Sequence, residues 1–257
     1  MLGASGLFAR ALDGMRLNGK TAVVTGGGTG IGLGIAQALA GVGCQVAIAG
    51  RRAATLGQAS DAWHANPPLL HHTVDVTDRG SVTRLFQWAH EQLNEIDILV
   101  NSAGTNIPNR TMAQMRPEQW DQLLAVNVTG VYNCMHAVLP AMRRRRQGLI
   151  INISSIAGKR AVSLAGVAYS ASKFALTALS TAAANEEAAN GIRITSICPG
   201  EVNTALLDQR PEAVSAERKA AMIQPEDIGD MVVAIACLPP RVHVPDLLIK
   251  PLCQEYV

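Results

Sequence analysis

The sequence predicts an α/β fold, a single doubly wound parallel sheet of about seven strands with helices on both faces. Three observations carry this. Short β-rich runs recur along the 257 residues, each followed by a segment of helical length. Short turns join each strand to its helical segment, and a parallel crossover needs a connection as long as that segment. Hydrophobic residues make up 48% but aromatic residues only 4%, so the core rests on Ala, Val, Ile and Leu, the usual residues of buried parallel strands.

In chain order, TAVVT (21–25) is the first strand. A helix spans 31–43, where Ile31, Ile35, Ala38, Leu39 and Val42 fall at helical spacing. QVAIAG (45–50) is the second strand, and a helix at 53–64 stops before Asn66-Pro67-Pro68. LLHHTVDV (69–76) is the third strand; Asp78 then caps a helix running to about Leu93. IDILVN (96–101) and GLIINIS (148–154) are strands four and five, separated by a long helix at about 118–145 that holds Trp120, Leu123, Leu124 and Val128. A helix at about 167–189 leads to IRITSIC (192–198), and DLLIK (246–250) is the seventh strand. No linker or repeat interrupts this rhythm, so one domain is expected over 19–257, after a poorly ordered leader at 1–18.

Several function classes drop out. Charged residues are only 16% and the formal net charge is +2, without the positive surplus of a nucleic-acid binder. The run Arg143 to Arg146 sits where the long helix ends, so it reads as a solvated helix terminus favoured by the dipole. No run reaches the roughly 18–20 apolar residues of a membrane span, and the N-terminus lacks the pattern of a secretory signal. Five scattered cysteines without a CxxC pair suit a reduced, cytoplasmic setting. The six histidines show no ligand spacing, so no metal site is expected.

The first strand runs into Thr25-Gly26-Gly27-Gly28-Thr29-Gly30-Ile31-Gly32, where a helix begins. A strand that must turn into a helix while its backbone approaches a pyrophosphate needs glycine, and the helix N-terminus offers N–H groups and a positive dipole end. Gly26, Thr29, Gly30, Ile31 and Gly32 are therefore expected to cradle a dinucleotide. The second strand ends in Gly50-Arg51-Arg52, without the acid that would accept bonds from the adenosine ribose hydroxyls. Guanidinium groups there pair with a 2′-phosphate, so NADP(H) is expected over NAD(H). Tyr169 and Lys173 stand four apart, on one helix face. An ammonium there favours the phenolate; moving a phenol from about 10 to about 7 takes roughly 4 kcal/mol.

These motifs together resemble the short-chain dehydrogenase/reductase family. TGGGTGIG resembles its TGxxxGxG signature, Asn101-Ser102-Ala103-Gly104 its NNAG motif, and Tyr169-Ser170-Ala171-Ser172-Lys173 its YxxxK. Asp75-Val76, Asn127 in VNVTG, Ser155 ending INISS and Pro199-Gly200 follow in family order, and the likeness covers about residues 18–250. The resemblance implies a Rossmann-type fold and hydride transfer between nicotinamide and a small carbonyl or secondary alcohol. It implies Tyr169 as acid/base, Lys173 as its pKa modifier and a ribose ligand, and Ser155 polarising the carbonyl. Ser154 is the neighbouring alternative; Ser155 is preferred because the family's serine sits three residues before the glycine matching Gly158. Asn127 would perturb its helix and hold a water that links the lysine to solvent. Asp75 and Val76 would lie at the adenine, Ala103 and Gly104 along the cofactor, and Pro199, Gly200, Val202 and Thr204 around the nicotinamide. Asn101 is expected chiefly to brace the central sheet.

Substrate choice is expected from loops at about 105–116, 158–168 and 203–224, which mix apolar Val162, Leu164, Leu206 and Leu207 with Lys159, Arg160 and Arg210. The family also implies a homo-oligomer, dimer or tetramer. Two other readings are a 3-oxoacyl-carrier reductase and a non-catalytic NADP-binding regulator; the second generally loses the tyrosine or the lysine, and this chain keeps both.

Overall fold

Side chains along the central strands alternate between two apolar layers. On β1 (Thr21–Thr25), Ala22 and Val24 face one layer and Val23 the other. The computed structural model describes residues 16–210 and 213–255. Around β1 it arranges β2 (Gln45–Gly50), β3 (Leu69–Thr73), β4 (Ile98–Asn101), β5 (Gly148–Ile153), β6 (Ile192–Pro199) and β7 (Asp246–Ile249). They form one seven-stranded parallel sheet in the order β3-β2-β1-β4-β5-β6-β7.

One face is covered by α1 (Gly30–Gly41), α2 (Ala53–Asp61) and α8 (Pro225–Ala236), through Ile35, Leu39, Leu56, Ile228 and Val232. The other is covered by α3 (Arg79–Leu93), α5 (Gly130–Arg145) and α6 (Val167–Glu187), through Leu85, Val138, Met142 and Leu176. Shorter helices α4 (Pro117–Leu124) and α7 (Ala216–Ala220) lie in the connections. The winding reverses between β1 and β4, and such a reversal opens a crevice at the carboxyl ends of the strands.

The predicted strands and their order along the chain are present, with local differences. β3 ends at Thr73, so Asp75 and Val76 lie beyond it. There Asp75 turns the chain by accepting from the Thr77 N–H at 2.9 Å and the Thr77 hydroxyl at 2.7 Å. β4 starts at Ile98, because the preceding Asp97 carboxylate accepts from the Thr21 N–H at 3.2 Å. α2 stops at Asp61, three residues short of the expected end. Asp78 caps α3 as predicted, accepting from the Gly80 N–H at 2.8 Å. The long helix is not continuous: α4 and α5 are separated by a π-helical turn at Ala125–Thr129.

Residues 1–15 of the expected leader lie outside the described residues. Its far end belongs to the domain, since Leu17 is buried and its N–H donates to Val42 O at 2.8 Å. α8 was not anticipated, although Pro225 at its first turn, Glu226 and Asp227 beside it, and Ile228, Val232 and Ile235 at helical spacing signal it.

The arginine run closes α5 and is mostly exposed, as expected, and three of its members also make tertiary contacts. Arg143 pairs with the buried Glu187 at the end of α6. Arg145 donates to Ile96 O at 2.6 Å, and Arg146 donates to Ala189 O at 2.7 Å.

Leu39 is fully buried between α1 and the sheet. Leu39→Ala is expected to lower unfolding stability by about 2–5 kcal/mol, read as a reduced midpoint in urea with an unchanged slope.

Candidate active site

The cleft begins at the turn from β1 into α1. Gly26 has φ of 68°, and a Cβ there would lie 2.7 Å from the Ala103 nitrogen. A Cβ on Gly32 would lie 2.3 Å from the Gly26 carbonyl oxygen. Neither position admits a side chain, and the turn packs directly on the loop after β4. Thr29 stands at the N-cap of α1 but makes no side-chain cap bond, so the first-turn N–H groups are left to an incoming anion. This bare cradle fits a dinucleotide pyrophosphate. Gly30 and Ile31 continue the cleft wall: Thr204 Cγ2 would touch a Gly30 Cβ at 3.2 Å, and Ile31 lines the cleft with Pro199, Gly200 and Val202.

Arg51 and Arg52 are exposed at the end of β2, with Arg52 as the N-cap of α2. Asp75 is close enough for the Arg51 charge to act on it. Its carboxyl is held below the usual carboxylate range first by the two Thr77 hydrogen bonds and then by Arg51. Val76 is buried, packs where a Gly130 Cβ would be 2.5 Å from its Cγ2, and its carbonyl accepts from Asn133 Nδ2 at 2.9 Å. These residues sit at a different part of the strand edge from Tyr169 and do not line the cleft beside it.

At the other end stand the sequence-predicted reactive groups. Tyr169 and Lys173 lie on the first turns of α6, with the Lys173 Nζ 5.5 Å from the Tyr169 ring centre. The Lys173 ammonium is buried and donates to Ile153 O, at the end of β5, at 2.8 Å. Burial lowers its pKa from 10.5 to about 8. Ser155 follows β5; its hydroxyl accepts from the Ala157 N–H at 3.1 Å and shares a hydrogen bond with Tyr169. Ser154 turns onto α6, meeting Lys173 O at 3.2 Å and Thr177 Oγ1 at 3.0 Å. Successive residues at a strand end face opposite ways, and here Ser155 meets the phenol. Tyr169 packs against a small apolar cluster of Ile107, Leu123 and Ala168, which Trp120 also covers.

Burial raises the Tyr169 phenol above its usual 10. The groups opposing the rise are the Ser155 hydroxyl and the Arg110 guanidinium, whereas the expectation from spacing assigned that part to Lys173.

Asn127 sits in the π-helical turn and is fully buried. Its Oδ1 accepts from the Thr105 N–H at 2.9 Å, and its Nδ2 donates to Thr105 O and Ser172 Oγ, each at 3.0 Å. A Cβ on Gly104 would stand 3.5 Å from Asn127 Oδ1 and 3.8 Å from Lys173 Nζ, so Gly104 lies between the two. Asn101 is away from the cleft: it donates to Asn152 Oδ1 at 2.8 Å, and Asn152 donates to Ser180 Oγ at 2.9 Å, tying β4, β5 and α6.

Three loops wall the cleft near Tyr169, contributing Asn106 and Arg110, then Val162 and Leu164, then Leu206, Leu207 and Arg210. Of the basic residues singled out from sequence, Lys159 instead pairs with Asp246 at 2.8 Å, and Arg210 pairs with Glu201 at 2.9 Å. Arg110, Glu201 and Gln254 also line the cleft and were missed. No motif marks them; Gln254 arrives from the C-terminal segment, where its Oε1 accepts from the Glu201 N–H at 2.9 Å.

A parallel sheet with a glycine turn at its switch point and a tyrosine–lysine pair across the crevice defines a dinucleotide-binding oxidoreductase. Residues 20–215 match the family described as short chain dehydrogenase, and the chain belongs to that family. It is 35% identical over 240 residues to an uncharacterised oxidoreductase of Staphylococcus saprophyticus, covering 93% of this chain and all of that protein. Among solved structures it is similar to a metagenomic short-chain oxidoreductase in complex with NADP, at 31% identity and TM-score 0.79, over 93% of this chain and 99% of that one. It is likewise similar to the closed form of serine dehydrogenase complexed with NADP+, at 28% identity and TM-score 0.84, over 92% and 96%.

A reduction that used the Tyr169 phenol as acid beside the Lys173 ammonium would need both groups protonated. Going up from neutral pH, Lys173 titrates first, because its pKa is about 8 while the phenol lies above 10. kcat/KM for reduction is expected to be flat at low pH and to fall with a midpoint near 8. Lys173→Arg, whose guanidinium keeps its proton, is expected to move that midpoint upward.

Proposed function

We propose that this chain is an NADP(H)-dependent oxidoreductase acting on a small carbonyl compound or the corresponding secondary alcohol. The observation that carries the reading is the convergence of the Tyr169 phenol, Ser155 hydroxyl and Lys173 ammonium at one end of a cleft whose other end is the glycine turn. A bound nicotinamide dinucleotide supplies or accepts the hydride. Tyr169 gives a proton to the carbonyl oxygen in reduction and takes it from the hydroxyl in oxidation. Ser155 donates to the same oxygen as negative charge grows there, beside the phenol it already contacts. Lys173 contributes positive charge beneath Tyr169 and offers its remaining N–H groups to a ribose hydroxyl. Asn127 fixes the loop after β4 through Thr105 and keeps the space around the ammonium open. Gly26, Gly30 and Gly32 admit the pyrophosphate, with Ala103 and Gly104 closing the side; Pro199, Gly200, Val202 and Thr204 shelter the nicotinamide.

Preference for NADP(H) is supported by Arg51 and Arg52 at the end of β2, where no acid stands to repel a 2′-phosphate. The NADP complexes of similar structures support it as well. Self-association into a dimer or tetramer belongs to the same reading, supported by exposed Tyr132 on α5 and Phe174 on α6. Free thiols at all five cysteines support a cytoplasmic setting.

Two variants test the reading. Tyr169→Phe is expected to lower kcat by at least about 100-fold while leaving NADPH affinity within a few-fold, measured by turnover and by cofactor fluorescence titration. Retained turnover contradicts the acid/base role. Arg51→Asp is expected to shift the ratio of kcat/KM for NADPH over NADH toward NADH by about tenfold or more, and an unchanged ratio contradicts the cofactor assignment.

A further inference from the structure

Arg110 lies in the loop between β4 and α4, buried at 9% exposure. Its guanidinium donates to Ile107 O at 3.0 Å, to Leu164 O, and to Gln209 O at 2.9 Å. These three carbonyls belong to the three loops that wall the cleft. All three are neutral, and a guanidinium has five N–H groups, so one on each terminal nitrogen is left over. Among the described residues, no carboxylate stands within ion-pair distance of Arg110.

Two titratable neighbours act on it: Arg210, of the same sign, and Tyr169, whose phenol opposes that effect only when ionised. The cleft does hold one carboxylate, Glu201, but it is engaged by Arg210 at 2.9 Å and by Arg218 at 3.0 Å. A desolvated cation beside a second cation, with only neutral acceptors, is under-compensated. Its complement is an anion entering from the cleft. Val162, Leu164, Leu206 and Leu207 supply apolar wall for a short hydrocarbon chain, which suits a planar monocarboxylate on a small carbon skeleton. Arg110 and Tyr169 line the same cleft, so a carboxylate held by Arg110 shares that cleft with the carbon that reacts.

We propose that the substrate is a short oxo acid or hydroxy acid, and that Arg110 is the residue that reads its carboxylate. This rests on the oxidoreductase reading above. The carboxylate stays intact throughout; hydride and proton are exchanged only at the carbonyl or carbinol group, through Tyr169.

Matched pairs of equal shape and different charge test it. 2-Oxopentanoate and 4-oxopentanoate are compared with their primary amides, in binding to the NADPH-loaded protein and in turnover. Binding is read from cofactor fluorescence. In the wild type at least one acid is expected to bind, and to react, on the order of 30–100-fold better than its amide. Arg110→Met is expected to reduce that ratio to within about threefold, and Arg110→Lys to restore part of it. NADPH affinity and thermal midpoint report whether the variants fold; the comparison of acid with amide in the wild type decides the matter without them. Amides that bind as well as both acids, or an acid preference that survives Arg110→Met in a folded variant, would overturn the proposal. Acids that bind through Arg110 without any turnover of oxo or hydroxy compounds would support the carboxylate site while defeating the oxidoreductase reading. Turnover of neutral ketones with no acid preference would do the reverse.

Discussion

The buried ammonium of Lys173 is the constraint around which the active site is arranged. A charge taken out of water is costly unless hydrogen-bonded, and here the Ile153 carbonyl at the end of β5 accepts from it at 2.8 Å. That contact joins α6 to the sheet, together with the Asn152–Ser180 and Ser154–Thr177 hydrogen bonds. It places Tyr169 one helical turn earlier, over the carboxyl ends of β4 and β5, where the Ser155 hydroxyl meets the phenol. The same charge limits what stands opposite: Gly104 leaves room on one side, and Asn127, turned inward by the π-helical turn, lies just beyond it. Asn127 is the buried residue of that turn, with its amide bonded to Thr105 and Ser172.

The cleft depends equally on the reversal of winding between β1 and β4. The loops after these two strands meet so closely that Gly26 and Ala103 touch backbone to backbone. Cofactor cradle and reactive groups are thereby held on one rigid edge. The walls near Tyr169 are of another kind. They are loops drawn together by the Arg110 guanidinium, which grips a carbonyl from each. One cation thus holds the walls together and lines the pocket they enclose.

Much of this was legible in the sequence, for identifiable reasons. The seven strands were readable because buried parallel strands are continuous apolar runs between turns, and the glycine turn because its spacing has meaning only at a strand–helix junction. Tyr169, Lys173, Ser155 and Asn127 were readable through motif order. What was not legible depended on contacts between distant segments. β3 stops early because Asp75 prefers a local turn with Thr77. The arginine run was readable as an exposed helix end, but not its ion pair, because the partner Glu187 is 44 residues from Arg143. The direction of the Tyr169 shift escaped because spacing pairs it with Lys173, whereas burial and Arg110 act on it. Arg110 itself sits in a loop with no periodic pattern, and only the folded walls reveal that its charge lacks a carboxylate.

The central claim is that hydride and proton reach the same carbon–oxygen group within this cleft. NADPH carrying deuterium stereospecifically at C4 of the nicotinamide, supplied with short oxo acids and neutral ketones, tests it most directly. The account predicts that one of the two deuterated epimers delivers its label to the carbinol carbon of the product, seen as a one-unit mass increase, and that the other does not. Product formed without label from either epimer, or NADPH consumed with no alcohol appearing, would contradict it.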